Sequence, residues 1–219
     1  MTADVVPGLG AVVLCGGMSR RMGRPKAWLP FGNEVLLQRV VRRLSEAAWP
    51  IVVVRAPGQE LPSLPSDVRV AEDHLEGRGP LQGLAAGLAV LEGIADAAFI
   101  SSTDAPFVEP ALVRYLFALQ GRAYDVVVPH VDGHYHPLAA IYGLSVRPEI
   151  DLLLSEDRLR PFFLFERVRT LVVGETQLRE APEIVPVDPD LRALRNMNTP
   201  SDYVAALQDA GLWDPTTGG

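Results

Sequence analysis

The chain has 219 residues, 48% of them hydrophobic, and a formal net charge of −7. That length fits one α/β domain with a sizeable core, and the acidic balance excludes DNA or RNA as the main partner, because no basic excess is present to release phosphate counterions. A single cysteine, Cys15, excludes an intramolecular disulfide and a cysteine-rich zinc site, and Glu92 and Asp96 interrupt the best apolar stretch, so no membrane span is expected.

Strand-like and helix-like stretches alternate along the chain. Gly10 to Cys15 is a short apolar run that leads into a Gly- and Arg-rich segment. Leu36, Leu37, Val40, Val41 and Leu44 recur at helical spacing. Ile51 to Val54 is β-branched, as in a strand buried on both faces, and Val68 to Ala71 is a second short strand. Leu81 to Leu91 reads as a helix whose Gly83 and Gly87 permit close packing. Ala97 to Ile100 follows as a strand, then Pro110 to Leu119 as a helix with proline in its first turn.

The second half changes character. Asp125 to Pro129 is a strand, Asp132-Gly133 signals a hairpin, and Leu138 to Tyr142 is its expected return. Pro148 to Leu154 and Pro161 to Phe165 read as short helices, Leu171 to Val173 and Ile184 to Val187 as late strands. Pro200 to Ala210 closes the chain as a helix capped by Thr199, with Asp202 at its third position. Thr216 to Gly219 reads as a frayed tail. This order predicts a Rossmann-like, doubly wound, mainly parallel sheet with helices on both faces and a β-hairpin insertion. Residues 1–219 then form one domain, in two halves over 10–122 and 123–212. In such sheets ligands bind outside the carboxyl ends of the strands, so the segments after Cys15, Val54, Ala71 and Ile100 should line one crevice.

Those segments hold the residues with chemical potential. Of the 20 basic side chains 19 are arginines, which leaves Lys26 as the single lysine. An ammonium is a compact point charge and a guanidinium a planar fork, so Lys26 marks a place to look for a role arginine cannot fill. It ends the segment from Leu14 through Cys15, Gly16 and Gly17 to Arg20, Arg21 and Arg24, a glycine-rich loop with four positive charges in an acidic protein. Glycines permit close backbone approach to phosphate, and the charges complete a polyphosphate cradle. The Walker pattern does not fit, since Ala27 follows Lys26, and the spacing Gly16, Gly17, Gly23 does not fit the dinucleotide fingerprint.

Asp104 stands at the end of a buried strand, where one carboxylate can hold Mg²⁺ against a triphosphate. Asp73 can bind a ribose hydroxyl, a base edge or a metal-bound water. The segment Gly77-Arg78-Gly79-Pro80 after it can turn backbone amides into the crevice. Asn196 and Asn198 precede the last helix, with amides able to reach phosphate or a metal's water shell. His130, His134 and His136 surround the hairpin without an acidic or cysteine partner at zinc spacing. His136-Pro137 can contribute to a second substrate pocket, and Arg158 and Arg160 to a second anion site.

Taken together, these residues resemble the nucleotidyltransferase pattern L-x-G-G-x-S-x-R-M-G-x-x-K, which Leu14 to Lys26 match without a gap. More narrowly, the chain resembles the molybdenum cofactor guanylyltransferase family, whose further landmarks follow in order: Glu72-Asp73, Gly79-Pro80-Leu81-x-Gly83, Thr103-Asp104-x-Pro106-Phe107, His136-Pro137 and Asn196-x-Asn198-Thr199-Pro200. Two positions depart from the pattern. Cys15 stands where the family usually has alanine, and Arg55 where its members often have an asparagine contacting the nucleotide.

The resemblance implies transfer of GMP from GTP to the terminal phosphate of molybdenum-molybdopterin, releasing pyrophosphate. It implies Mg²⁺ on Asp104, and catalysis by Lys26, Arg21 and Asp104. Nucleotide contacts come from Leu14, Cys15, Gly16, Gly17, Lys26, Asp73, Gly79 and Asp104, and molybdopterin contacts from Arg160, Asn196 and Asn198. A cytoplasmic enzyme in transient contact with molybdopterin-loading or acceptor proteins follows. A cytidylyltransferase on the same pterin, another sugar- or alcohol-phosphate nucleotidyltransferase, and a non-catalytic nucleotide-binding regulator are the alternatives.

Overall fold

Burial on both faces explains why the strands read as continuous apolar runs. The structure, a computed structural model, describes residues 5–16, 25–73, 78–121 and 123–213. In chain order the elements are β1 (Leu9–Leu14), a short ribbon of β2 (Pro30–Phe31) and β3 (Glu34–Val35), α1 (Leu36–Leu44), β4 (Ile51–Arg55), β5 (Arg69–Glu72), α2 (Pro80–Leu91), β6 (Ala97–Ser102) and α3 (Pro110–Gln120). There follow β7 (Val126–Val131), β8 (His134–Tyr135), β9 (Ala140–Gly143), α4 (Arg147–Ser155), α5 (Phe162–Phe165), β10 (Thr170–Gly174), α6 (Glu175–Glu180) and α7 (Pro200–Asp209).

The main sheet runs β10-β7-β9-β6-β1-β4-β5, with β8 paired to β7. β1 pairs in parallel with both β4 and β6, β4 with β5, and β7 with β10, while β9 runs antiparallel between β6 and β7. The chain winds outward from β1 through β4 and β5, then returns to the other side of β1 with β6. This reversal opens a crevice at the carboxyl edge. Alternate residues of each strand face opposite layers. Leu9, Ala11 and Val13 join Leu37, Val41, Leu112 and Leu116 in one core. Val12, Val52 and Ile100 join Leu84, Leu88, Ile150 and Leu153 in the other. Helix α2 lies very close to the sheet. A Cβ on Gly87 would stand 2.3 Å from Val12 Cγ1, so only glycine fits there.

Three differences from the sequence reading have physical causes. Ile184 to Val187 is not a strand. It coils in consecutive turns, with the Val185 and Asp188 amides donating to Ala181 and Ile184; only Ile184 is buried, in the core with Leu178 and Ala181, while Val185 and Val187 stay exposed. The direct return of the Asp132-Gly133 hairpin is the two-residue β8, and the longer strand after it, β9, inserts between β7 and β6. Helix α6 was not anticipated: its six residues are too few to show a helical period. Among the described residues no helix is long and apolar enough to cross a membrane. The expected tail at 216–219 lies outside the described residues.

A third, smaller core explains how the end of the chain reaches the crevice. Leu29, Phe31 and Leu36 pack against Met197 and Ala206, so α7 docks on the β2–β3 ribbon that follows Lys26. Its N-terminus is tied reciprocally: Thr199 Oγ1 accepts from the Asp202 amide at 3.2 Å, and Asp202 Oδ2 accepts from the Thr199 amide at 2.9 Å. The Asn198 amide, which donates to Asp202 Oδ2 at 2.9 Å, together with the Thr199 side chain and amide, holds the Asp202 carboxyl below the usual carboxylate range.

Candidate active site

A cavity of about 580 Å³ lies at the carboxyl edge of β1, β4 and β6. Leu14, Cys15 and Gly16 enter it from the end of β1, Val54 and Ala56 from β4, Asp73 from the segment after β5, and Ser102, Thr103 and Asp104 from β6. Parallel pairing brings these ends together, with Leu14 in register with both Val54 and Ser102. Gly79, Pro80 and Gly83 of α2 line the opposite wall, and Lys26, Asn196 and Asn198 complete it.

The polar centre is compact. Lys26 Nζ donates to Asp104 Oδ2 at 2.5 Å and to Asn198 Oδ1 at 3.4 Å. The other Asp104 oxygen accepts from Ser102 Oγ at 2.5 Å, and its carbonyl accepts from the Met197 amide at 3.0 Å. That last bond splices the Asn196–Asn198 segment to the end of β6. A buried carboxylate, Asp188, shapes the turn leading into the segment by accepting from the Arg192 and Ala193 amides at 2.8 and 2.9 Å. The polar centre therefore depends on three parts of the chain far apart in sequence, around Lys26, Asp104 and Asn198.

Asp104 offers hard carboxylate oxygens to the cavity, one paired with the Lys26 ammonium and the other with Ser102 Oγ, and Asp73 lines the same cavity. Among the described residues no group of three or more histidine, cysteine or acidic side chains could hold a metal by itself. A single carboxylate suits a cation that takes its remaining ligands from water and substrate phosphates, as magnesium does. Cys15 is buried, and burial pushes its thiol above the ordinary cysteine value. It is a wall residue, not a nucleophile.

Several expected residues converge here: Leu14, Cys15, Gly16, Lys26, Asp73, Gly79, Asp104, Asn196 and Asn198 all line the one cavity. Gly17, Arg20, Arg21 and Arg24 lie outside the described residues, as does His74. Arg160 is exposed and lines neither this cavity nor the second one described below. Its neighbour Leu159 nevertheless reaches the rim, because a Cβ on Gly79 would stand 3.1 Å from the Leu159 carbonyl oxygen. Gly79 also holds φ at +74°, a second reason for glycine there.

Arg55 turns away from the cavity. It pairs with Glu72 at 2.8 Å and donates to the Gln59 carbonyl at 2.9 Å. Gln59 is a residue that sequence reasoning missed: its side chain accepts from the Ala56 amide and donates to the Cys15 carbonyl, clasping the β1 and β4 ends together. No motif marked it. The three hairpin histidines diverge. His130 packs edge-on to Tyr135 with ring centroids 4.8 Å apart and lines neither cavity, whereas His134, whose Nδ1 is 2.6 Å from the Asp132 carbonyl oxygen, and His136 both line a second cavity.

The family model of the MobA-like NTP transferase domain matches residues 11–170. A probable molybdenum cofactor guanylyltransferase of Pelotomaculum thermopropionicum is 36% identical over 196 residues, covering 89% of this chain and 90% of the relative. One of Mycobacterium tuberculosis is 37% identical over 213 residues, covering 95% and 97%. The crystal structure of a molybdopterin-guanine dinucleotide biosynthesis protein A from Archaeoglobus fulgidus superposes with a TM-score of 0.74 at 22% identity, covering 93% of this chain and 100% of that one.

Proposed function

Because the chain belongs to the MobA-like NTP transferase family, we propose that it transfers GMP from GTP to the terminal phosphate of molybdenum-molybdopterin, giving molybdopterin guanine dinucleotide and pyrophosphate. One observation carries the reading: a single cavity gathers Lys26, Asp104, Asp73 and Asn198, and shares Asn196 with a neighbouring cavity. That is the layout a two-substrate phosphoryl transfer needs.

In this reading an oxygen of the pterin's terminal phosphate attacks the α-phosphorus of GTP. The bond from that phosphorus to the α,β-bridging oxygen breaks, and the electron pair leaves with pyrophosphate. The attacking phosphate is already ionised at neutral pH, so no protein base is required. The protein's share is positioning and electrostatics. Backbone amides at Gly16 and Gly17 hold phosphate oxygens, and Lys26, assisted by Arg21, neutralises charge at the reacting phosphates. Asp73 binds the nucleoside side, Asn196 and Asn198 meet the pterin phosphate, and Arg160, exposed outside the cavity next to Leu159, adds positive charge for that phosphate. Asp104 would hold a divalent cation such as magnesium, which supplies charge neutralisation to the phosphates when bound. Residues 10–122 thus serve the nucleotide and 123–212 the pterin, and proteins that load or accept the pterin meet the enzyme transiently.

The test is pyrophosphate release with molybdopterin and Mg²⁺, using GTP, CTP and ATP in turn. GTP should support release and CTP should not. Release with CTP alone would overturn the guanine assignment, and nucleotide binding without any release would overturn the transferase reading. Asp104→Asn should abolish most metal-dependent release; full activity in that variant would move the cation elsewhere.

A further inference from the structure

Two groups that line the nucleotide cavity, Cys15 and Lys26, are each tied to the same place outside it, the dipeptide Gln59-Glu60 between β4 and β5. On the Cys15 side, Gln59 Nε2 donates to the Cys15 carbonyl at 3.1 Å. The Gln59 Oε1 accepts from the Ala56 amide at 3.0 Å, so both ends of the carboxamide are used. On the Lys26 side, the Trp28 indole N–H donates to the Glu60 carbonyl at 3.2 Å.

Trp28 and Lys26 belong to one tight turn. The Trp28 amide donates to the Pro25 carbonyl at 3.0 Å, and the Leu29 amide to the Lys26 carbonyl at 3.1 Å, so a shift of Trp28 shifts Lys26. Ala27 is buried and seats the turn in the core, whereas Trp28 is 43% exposed. An indole left this far in solvent owes its fixed position chiefly to its hydrogen bond. The dipeptide is itself held: the Gln59 amide donates to the Ala56 carbonyl at 3.1 Å, and its carbonyl accepts from Arg55 at 2.9 Å. Gln59, Glu60 and Trp28 line no part of the cavity, so they act on it only through Cys15 and Lys26.

We propose that Gln59 and Trp28 are positioning residues for the phosphates of the nucleotide: braced on the Gln59-Glu60 dipeptide, they set the spacing between the Cys15–Gly16 backbone and the Lys26 ammonium. The base and the acceptor are left to other residues. This inference rests on the nucleotidyltransferase reading, which places phosphates between those two groups, and is independent of which base or acceptor the enzyme uses.

The experiment measures the Kd of GTP, CTP and guanosine with Mg²⁺, and the KM for molybdopterin, in the full chain. Gln59→Met keeps nearly the same length and removes both hydrogen bonds; Trp28→Phe keeps a ring and removes the N–H. With each hydrogen bond worth up to about tenfold, GTP affinity should fall about tenfold in Gln59→Met and about threefold in Trp28→Phe. Guanosine affinity and the molybdopterin KM should stay within about twofold of wild type, because neither reads the phosphate spacing of the nucleotide. The double variant should be little worse than Gln59→Met, since a brace released at one end no longer holds the other. Wild-type GTP affinity in Trp28→Phe would overturn the proposal, and that exposed site decides even if Gln59→Met fails to fold. So would a parallel fall in guanosine affinity, the mark of a merely structural role, or a double-variant loss equal to the product of the two single losses. If the wild type binds CTP in place of GTP, the guanine assignment falls and the same comparisons are read on CTP and cytidine. If it binds no nucleoside triphosphate, the nucleotidyltransferase reading falls and the proposal with it.

Discussion

Lys26→Arg separates charge from shape beside Asp104. The ammonium sits within 2.5 Å of Asp104 Oδ2 and 3.4 Å of Asn198 Oδ1, with only 21% of the lysine side chain and 15% of the aspartate exposed. A guanidinium keeps the charge but spreads it over a broader plane. To occupy the same gap it must displace Asp104 or Asn198, and Asp104 is braced by Ser102 and by the Met197 amide. A charge-assisted hydrogen bond is worth about 1.5–3 kcal/mol, and a misplacement of about 1 Å at a reacting centre costs about a hundredfold. Turnover should therefore fall between about tenfold and about a hundredfold, or about 1.4 to 2.7 kcal/mol in the barrier. Fold stability should change by less than about 1 kcal/mol, because a partly exposed ion pair contributes little. Single-turnover pyrophosphate release at saturating GTP, beside a urea titration, measures both. Turnover within twofold of wild type, in a normally folded variant, would refute the argument that the site requires an ammonium.

Other expectations probe the frame around the site. Gly87→Ala should destabilise by about 1–3 kcal/mol from overpacking against Val12, despite the better helix propensity of alanine; a urea midpoint at or above wild type would contradict it, and adding Val12→Ala should restore part of the loss. Asp188→Ala strands the Arg192 and Ala193 amides and should cost about 1–3 kcal/mol in the same titration; an unchanged midpoint would show that the turn holds itself. Arg55→Asn should leave the ratio of GTP to CTP use unchanged, because Arg55 is committed to Glu72 and Gln59 outside the cavity; a tenfold shift would place Arg55 at the base.

The Arg169 guanidinium beside Asp125 holds its carboxyl below the usual carboxylate range. A depressed folded pKa contributes stability that is present above the unfolded value and lost as pH falls through the folded one. The stability gap between wild type and Asp125→Asn should thus be widest near neutral pH and shrink below about pH 4. A gap independent of pH would refute the pairing.

The order of strands and helices was legible because its signals are local. β-Branched runs mark strands buried on both faces, and the spacing from Leu36 to Leu44 marks the face that α1 buries. Thr199, Pro200 and Asp202 form a cap within one turn, so α7 could be placed from its own residues. The cavity positions of Gly16, just after β1, and of Asp104, just after β6, were also visible, since they follow from residue type and position after a strand. Ile184 to Val187 misled for the same reason: a short apolar run looks alike whether it pairs in a sheet or folds into turns with only Ile184 buried.

Residue order alone determined that Lys26, Asp73, Asp104 and the Asn196–Asn198 pair would lie at strand ends or helix starts on one edge. Only the tertiary structure decided which of them touch. Long-range packing of Phe31 and Leu36 on Met197, with the amide bond from Met197 to Asp104, delivers Asn198 to Lys26 across 172 residues. It also decided that Arg55 serves Glu72, that Gln59 clasps Cys15, and that His136 hides one nitrogen in a wall. Side-chain direction depends on neighbours distant in the chain, and no local pattern encodes it.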